Sequence, residues 1–184
     1  MKRLFIAVNI ELSNEFQALT QQLRNDLRND DIVWVKNNLQ HLTLRFLGET
    51  PETKIEPITN ILSSIANSTQ VFDLQLDKMG VFGSKYAPTV LWYGFSEFSL
   101  FKNLFENLEK ELLQIGFQGN YGNFVPHITV GRIKKVDNKK RFWETIEKRQ
   151  PHFSQTISIH HLSLVQSKLT NEGPVYKTLF DLRF

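Results

Sequence analysis

Apolar residues in this chain are concentrated in short runs that are rich in β-branched and aromatic side chains. Runs of this kind, when they are bounded by Gly, Pro, Asn or Asp, are typical of β-strands. They predict strands at residues 3–10, 33–35, 41–47, 71–82, 89–95, 127–133, 156–167 and 175–184. Gly48 is expected to end the third of these strands.

Between the runs, the apolar residues recur at spacings of three and four, which is the period of an amphipathic helix. The first helix is predicted from Leu12, Phe16, Leu19, Leu23 and Leu27. The apolar stripe of the second helix is Ile55, Ile58, Leu62 and Ile65. Because proline is tolerated only in the first turn of a helix, Pro57 requires this second helix to begin near Thr53.

Two further helices follow the same reasoning. A third apolar stripe runs from Phe98 to Ile115, and Gly116 is expected to end that helix. A short basic helix through Phe142 and Ile146 is predicted to end at Pro151, with Asp137 as its N-cap. Many neighbouring strands lie too close together for parallel crossovers, which favours an α+β fold with antiparallel sheets.

Composition narrows the class of protein. The chain has 184 residues, of which 41% are hydrophobic and 22% charged, so it is expected to fold as one globular unit. It contains no cysteine, which excludes disulfides, thiolate nucleophiles and iron–sulfur clusters. A formal net charge of +3 mildly favours anionic partners such as RNA or nucleotides. No run reaches the ~20 apolar residues of a membrane span, and we expect a cytoplasmic protein.

The pattern His-apolar-Thr-apolar occurs twice, as HLTL at 41–44 and HITV at 127–130. Alternate side chains of a strand share a face, so His41 and Thr43 are expected to point one way, and His127 and Thr129 repeat the arrangement. Each motif follows a predicted helix, which indicates a weak internal duplication. We therefore expect residues 1–184 to form a single domain with two similar lobes around a central cleft, with one motif in each lobe.

Two imidazoles and two hydroxyls in one cleft suit phosphodiester cleavage. An imidazole with a pKa near ~6.5 can act as either base or acid, so one histidine can deprotonate water while the other protonates the leaving oxygen. The threonine hydroxyls can bind the non-bridging phosphate oxygens. One such tetrapeptide is usually an ordinary half-exposed strand. A second copy in an equivalent place favours the catalytic interpretation.

A metal site is the weaker alternative. Each His-x-Thr supplies one ligand, and no third His, Asp or Glu stands at a convincing ligand spacing. We expect neither a metal nor another cofactor.

The two motifs and the order of the surrounding segments also resemble a known family. HLTLRFLG and FVPHITVGR, together with RLFIAV, VLWYGF and GPVYKTLFDL, are similar to the two-histidine phosphoesterases, and in particular to the RNA 2′,3′-cyclic phosphodiesterases also called LigT or 2′-5′ RNA ligases. The resemblance covers nearly the whole chain. It implies a two-lobed α+β fold, with both motifs in a central cleft, that acts without metal on an RNA end bearing a 2′,3′-cyclic phosphate. We expect a monomer whose partner is such an RNA end or a small cyclic nucleotide.

The resemblance also implies a role for each motif residue. His41 matches the general acid, His127 the general base, and Thr43 and Thr129 the phosphate-binding hydroxyls. Arg132 matches an arginine that assists the nucleotide. Strict alternation would put Arg132 on the apolar side of its strand, so it can reach the cleft only if the strand bends or bulges at Gly131.

Two other functions are compatible with the sequence. One is an RNA- or nucleotide-binding module that has lost turnover, which a turnover assay would separate from an enzyme. The other is hydrolysis of a different cyclic phosphate, such as ADP-ribose 1″,2″-cyclic phosphate. The preferred reaction is opening of the RNA ring to a 2′-phosphomonoester, and the same acid and base could catalyse the reverse ligation.

Further residues are candidates for substrate binding. Arg45 nominally shares the face of His41 and Thr43, where it could contact phosphate or else form an ion pair. Phe124 and Tyr121 precede the second motif and could stack a terminal base, with core packing as the alternative for Phe124.

Other histidines and a basic run complete the candidates. His160 and His161 should face opposite sides of one strand, so we interpret them, with His152, as structural or surface residues. The basic run at 134–141 could follow an RNA backbone or be a solvated loop.

Overall fold

The structure is a computed structural model that describes residues 1–120, 122–171 and 173–184. In chain order its elements are β1 (Lys2–Asn9), α1 (Asn14–Asp26), β2 (Asp31–Trp34), β3 (His41–Thr50), α2 (Ile55–Ser68), β4 (Phe72–Gly83), β5 (Pro88–Phe95), α3 (Ser99–Gln114), β6 (His127–Lys135), α4 (Lys139–Lys148), β7 (Gln155–Ile159), β8 (His161–Thr170) and β9 (Gly173–Arg183). Short 3-10 turns at Asn37–Leu39 and Glu52–Lys54 precede β3 and α2.

These strands form one antiparallel sheet that curls into a half-barrel. Its order is β7-β4-β5-β6-β3-β1-β8-β9, and β2 pairs with the C-terminal part of β6. The two strands that carry the repeated motif, β3 and β6, are neighbours at the centre, where Leu42 pairs with Ile128. The predicted α+β class with antiparallel pairing is confirmed. One half of this continuous sheet consists of β7, β4, β5, β6 and β2, and the other half consists of β3, β1, β8 and β9.

The helices cover one side of this sheet and bury its apolar positions. Leu42, Leu44, Ile128 and Val130, the apolar members of the two motifs, are at most 2% exposed and belong to this core. The opposite side of the sheet, which we call the front face, carries His41, Thr43, His127 and Thr129, all of them partly exposed. Burial of the apolar side chains of each motif therefore holds its His and Thr side chains in place on the front face.

Two of the helices do not pack on the half of the sheet that contains the strand before them. Each packs on the other half instead. Helix α1 follows β1, yet Phe16 packs on Tyr93 of β5, and Thr20 hydrogen-bonds the hydroxyl of Tyr93 at 3.0 Å. Helix α3 follows β5, yet it packs against α2 and is ion-paired to β3 through Glu109 and Arg45. The two halves are consequently tied together by their own helices.

The strand and helix predictions hold, apart from details at the ends of elements and the strand predicted at 156–167. Gly48 does not end β3, because it adopts φ +71° within the strand and the chain continues to Thr50. Helix α2 begins at Ile55, after the 3-10 turn, and Pro57 stays in its first turn. The N-cap of α4 is Asn138, whose side chain accepts from the backbone N–H of Arg141, and not Asp137 as predicted.

The predicted strand at 156–167 is in fact two strands that lie far apart in the sheet, with β7 at one edge and β8 next to the other edge. The chain breaks at His160, so that β7 pairs with β4 while β8 pairs with β1. Sequence periodicity does not reveal such a break, because both pieces have strand-like alternation.

Within the described residues, no helix is both long enough and apolar enough to cross a membrane.

Candidate active site

His41 and His127 begin β3 and β6, and each ring is fixed by the backbone just before its strand. Nδ1 of His41 lies 2.8 Å from the carbonyl oxygen of Leu39, and Nδ1 of His127 lies 2.8 Å from that of Val125. A carbonyl oxygen can only accept, so Nδ1 carries the proton in the neutral form of both rings. Nε2 is then the atom that can take a proton from a ligand, or donate one when the ring is charged.

Both imidazoles are biased towards the neutral form. Burial lowers the pKa of His41 below its usual value of 6.5, the Leu39 carbonyl opposes this, and the charges of Arg132 and His127 lower it further. Burial also lowers the pKa of His127, with an opposing effect of the Val125 carbonyl and a further lowering by Arg132. An anion bound between the rings would act in the opposite direction, because it favours imidazolium.

Thr43 and Thr129 lie two residues after the histidines on the same face of their strands. Both are partly exposed, and neither side-chain hydroxyl is hydrogen-bonded within the part of the chain that the structure describes. A hydroxyl with no internal partner can donate to a ligand without breaking an existing bond. The pair is thus suited to hold the oxygens of an anion between the two imidazoles.

Arg132 lies on the front face because β6 contains a bulge. Trp92 pairs with Thr129 and Leu91 with Gly131, which leaves Val130 as the extra residue. The bulge turns Arg132 towards the histidines, and its charge lowers the pKa of both. At Gly131 a Cβ atom would lie 2.7 Å from Cγ2 of Ile32, so the close approach of β2 requires glycine there.

Aromatic rings surround each histidine in a roughly symmetric way. The ring of His41 lies 4.9 Å from Phe5 and 5.2 Å from Tyr176, measured between centroids. The ring of His127 lies 4.7 Å from Phe82 and 6.4 Å from Trp92.

Trp92 lies across two glycines, because a Cβ atom at Gly80 or Gly94 would come within 2.7 Å of its ring. The aromatic neighbours of the two histidines were missed from the sequence. They come from four different strands, and only the strand order brings them together.

Across residues 1–120, 122–171 and 173–184, no group of three or more His, Asp or Glu side chains is placed to hold a metal ion.

This geometry can be compared with that of known proteins. The family model described as LigT-like phosphoesterase matches residues 6–92 and 97–176, which include both motifs. The chain belongs to the LigT-like phosphoesterase family. Relatives of this LigT-like phosphoesterase include the RNA 2′,3′-cyclic phosphodiesterase of Thermotoga maritima, which is 32% identical over 99% of this chain and 95% of its own. The protein of the same name from Methanocaldococcus jannaschii is 32% identical over 96% of this chain and 98% of its own.

Solved structures agree with the fold. A crystal structure of a Thermus thermophilus protein has a TM-score of 0.80 and 27% identity, and the match covers 98% of this chain and 97% of that one. Escherichia coli LigT complexed with 3′-AMP has a TM-score of 0.77 over 100% of this chain and 98% of its own. At 21% identity, this second likeness concerns the fold alone.

Arg45 of the LigT-like phosphoesterase does not share the face of His41 and Thr43 in the structure. A bulge at Leu44 interrupts the alternation, and the guanidinium is directed to α3, where Nε lies 2.7 Å from Oε1 of Glu109. The same side chain donates to the carbonyl oxygen of Gln118. The alternative interpretation, an ion-paired strand arginine, is the one that the contacts support.

The residues predicted to stack a base have different outcomes. Phe124 is stacked on Phe105 of α3, with ring centroids 4.1 Å apart and planes 6° apart, and it also lies 5.9 Å from Phe101. These contacts are those of the packing alternative. Tyr121 lies outside the described residues, and its role stays a prediction.

His160 and His161 do not face opposite sides of one strand, because the strand ends between them. Their ring centroids are 4.7 Å apart. The Nε2 of His161 accepts from the backbone N–H of Asn9, and burial lowers the pKa of His161. Both lie outside the pair formed by the two motifs. His152 is exposed, as expected.

The basic run at 134–141 divides between β6, the following turn and α4. Lys134, Lys135, Lys139 and Lys140 are exposed, whereas Arg141 donates to Asp30 at 3.1 Å. An RNA contact by the exposed lysines stays a prediction.

Proposed function

We propose that this phosphoesterase hydrolyses RNA ends that carry a 2′,3′-cyclic phosphate and leaves a 2′-phosphomonoester. One observation carries the proposal: both imidazoles are held through Nδ1 by a carbonyl two residues earlier, which leaves Nε2 of each free on a shared face. This arrangement favours an enzyme over a binding module, because a pure binder has no need for two oriented proton-transfer groups. The relatives named RNA 2′,3′-cyclic phosphodiesterase support the choice of substrate.

In the proposed reaction the two histidines have separate roles. Nε2 of His127 takes a proton from water as the water oxygen bonds to phosphorus. Nε2 of protonated His41 gives its proton to the 3′ oxygen as the bond between that oxygen and phosphorus breaks. The phosphate stays on the 2′ oxygen, and transfer of a proton between the rings through solvent restores the starting state.

The hydroxyls and the guanidinium stabilise the charge that develops on the phosphate. Thr43 and Thr129 donate to the non-bridging oxygens, and Arg132 supplies the positive charge near both rings. Ligation, in which a 5′ hydroxyl of RNA replaces water as the nucleophile and a 2′-5′ linkage forms, uses His127 as base and His41 as acid in the same roles, and these roles are exchanged when that linkage is cleaved back to the cyclic phosphate.

The decisive experiment uses an oligonucleotide that ends in a 2′,3′-cyclic phosphate, incubated with the protein in EDTA. We expect ring opening at an undiminished rate in the chelator, since all proposed groups are protein side chains. The product should resist an enzyme that removes only 3′-phosphates. Loss of activity in EDTA that zinc or manganese restores would contradict the proposal. A 3′-phosphate product would mean that the substrate lies in the opposite orientation, or that the acid and base roles of His41 and His127 are exchanged.

We further propose that a monomer is the active form, that it acts in the cytoplasm, and that it is one domain with a motif in each lobe. Both motifs lie on neighbouring strands of one chain, so a single copy carries every proposed group. Light scattering after gel filtration tests the monomer, because a dimer that persists at assay concentration would contradict it.

A further inference from the structure

The basic run that follows the second motif contains both paired and unpaired cations. Arg141 is ion-paired to Asp30 at 3.1 Å. Lys134 and Lys139 are exposed, and neither forms an ion pair with any residue that the structure describes. Two cations at this end of β6 are therefore available to an anionic ligand.

Lys134 continues the front face of β6 beyond the proposed phosphate site. Ile133 is buried in the core, so the exposed side chains of Arg132 and Lys134 on either side of it lie on the front face. Thr129 and Lys134 are separated by roughly 15 Å of strand, at ~3.3 Å per residue. A mononucleotide held by Thr129 does not span this distance, whereas an RNA strand does.

An exposed tyrosine lies at the same end of the sheet. Tyr86 belongs to the turn between β4 and β5, and Val90 of β5 pairs with Arg132, so this turn lies beyond Arg132. Tyr86 is 79% exposed, and Nζ of Lys139 lies 6.0 Å from the centroid of its ring. Proteins that bind single-stranded RNA combine these two groups, because cations attract the phosphates and aromatic rings stack the bases.

The turn that presents Tyr86 is held in place by hydrogen bonds. The backbone N–H groups of Ser84 and Ala87 each donate to the carbonyl oxygen of the other residue at 3.1 Å, and Oγ of Ser84 accepts from the N–H of Tyr86 at 3.3 Å. Nε1 of Trp143 in α4 donates to the carbonyl oxygen of Lys85 at 3.1 Å. A turn braced in this way loses little further backbone freedom when a ligand binds, so the exposed ring is a preorganised contact.

The proposed reaction directs the RNA strand towards this end of the sheet. The attacking water and the departing 3′ oxygen lie on opposite sides of phosphorus, so the ribose, which carries the departing oxygen, lies beside the acid, His41. The antiparallel pairing of Leu42 with Ile128 places His41 opposite Thr129, the motif residue nearer to Lys134. The strand attached to the 5′ carbon of this ribose therefore begins where β6 leads to Lys134.

We propose that Lys134, Lys139 and Tyr86 form a subsite for the RNA strand on the 5′ side of the cyclic phosphate, in which the two lysines bind backbone phosphates and Tyr86 stacks a base within the strand. This inference rests on the proposed function and extends it from the reacting end to the body of the RNA. The enzyme then prefers an oligonucleotide to a mononucleotide with the same cyclic phosphate. Every base has a π-face, so the stack on Tyr86 carries little sequence preference.

The first test compares adenosine 2′,3′-cyclic phosphate with an octaadenylate that ends in the same cyclic phosphate. Tyr86→Ala should lower kcat/KM for the octaadenylate between about 5-fold and 100-fold, the range expected for a lost stack. It should leave kcat/KM for the mononucleotide unchanged, because that probe does not reach the turn. Tyr86→Phe should retain the wild-type preference for the octaadenylate, because it keeps the ring.

The salt dependence of binding tests the lysines. The ligand is an octaadenylate with a 2′-phosphate end, which has no ring to open, and its Kd is measured by fluorescence anisotropy at several salt concentrations. Each phosphate contact to a single strand contributes about 0.7 to the slope of log affinity against log salt concentration, so Lys134→Gln/Lys139→Gln should make this slope shallower by about 1.4. Lys102→Gln/Lys110→Gln is the matched control, because it removes two exposed lysines of α3, on the helix side of the sheet. The control should keep the wild-type slope.

Three results would overturn the inference. Equal kcat/KM values of the wild type for the two probes would mean that the body of the RNA is not bound. An equal loss on both probes in Tyr86→Ala would mean a structural role for the turn. The same change of slope in both double lysine variants would mean an effect of net charge alone. Failure of the wild type to open either ring would instead remove the proposed function, and this inference with it.

Discussion

At the residue scale, the feature that suits the two strand histidines to the proposed acid and base roles is the hydrogen bond of each Nδ1. The donor and acceptor are two residues apart in both motifs, so each ring is held by the last peptide groups before its strand. Nε2 is exposed to a ligand on both rings, and the two rings are chemically alike. The separate roles that we propose for them must therefore come from the way in which the substrate binds between them.

Removal of either ring should abolish most of the turnover. We expect His41→Ala and His127→Ala each to lower kcat by roughly 100-fold or more, because each ring makes a proton transfer that the other does not. His160→Ala is the control, since this exposed histidine lies outside the pair. Circular dichroism checks the fold of each variant. Near-normal turnover in a folded His41 or His127 variant would remove the assignment.

The pH dependence follows from the direction of the two pKa values. The acid limb of kcat/KM reports protonation of the free enzyme's base, and the alkaline limb reports loss of the proton from its acid. Burial and Arg132 lower the pKa of both histidines below 6.5, so the bell of kcat/KM should be centred below that pH. A bound phosphodiester anion favours imidazolium, so the profile of kcat should lie at higher pH.

Arg132→Met gives this pH prediction an independent check. Removal of the positive charge should raise both pKa values and move the bell of kcat/KM to higher pH, even as the rate falls. A bell centred above neutrality in the wild type, or no shift in Arg132→Met, would contradict the electrostatic account. The two apparent pKa values belong to the coupled pair and not to single residues.

At the element scale, periodicity predicted the helices well because a buried stripe repeats over several turns. Strand alternation failed for residues that follow a bulge, because one extra residue exchanges the faces of all later residues in the strand. Strict alternation therefore placed both Arg45 and Arg132 on the wrong face of the sheet. The break at His160 was missed for a related reason. Strand pairing partners are set by the tertiary fold, and the sequence holds no local sign of them.

The ion pair between β3 and α3 yields an element-scale prediction. Arg45 and Glu109 are only 14% and 13% exposed, so Arg45→Met would leave a largely buried carboxylate without its cationic partner, although the backbone N–H of Asn120 would still donate to it. We expect a loss of about 1–3 kcal/mol in the free energy of unfolding, measured with urea, and an unchanged kcat/KM.

Lys102→Met is the control for this stability effect. Lys102 and Glu106 form an exposed pair on α3, with side chains 56% and 51% exposed, and its removal should cost at most about 0.5 kcal/mol. A large fall in kcat/KM for Arg45→Met, without a loss of stability, would restore the phosphate-binding role that the contacts of Arg45 do not support.

At the scale of the whole molecule, the sequence indicated a duplication but could not show how the halves are joined. Each motif could be predicted from the sequence because its residues are adjacent in the chain. The strand order could not be predicted, since β8 and β9 come last in the chain yet extend the half of the sheet that contains β1. The exchange of α1 and α3 between halves was hidden for the same reason. As a consequence, each half of the sheet is covered in part by a helix that follows a strand of the other half.

This exchange predicts that the two halves unfold together. All three tryptophans, Trp34, Trp92 and Trp143, belong to the half around β6: Trp34 pairs with Gly131, Trp92 with Thr129, and Trp143 donates to the Lys85 carbonyl after β4. Tryptophan fluorescence therefore reports that half, whereas far-ultraviolet circular dichroism reports the whole chain. Because α1 links β1 to the packing under β5, and α3 links β5 to α2 and β3, we expect both signals to give one urea midpoint and one slope. Two separated midpoints would mean that each lobe folds on its own and that the continuous sheet contributes little to cooperativity.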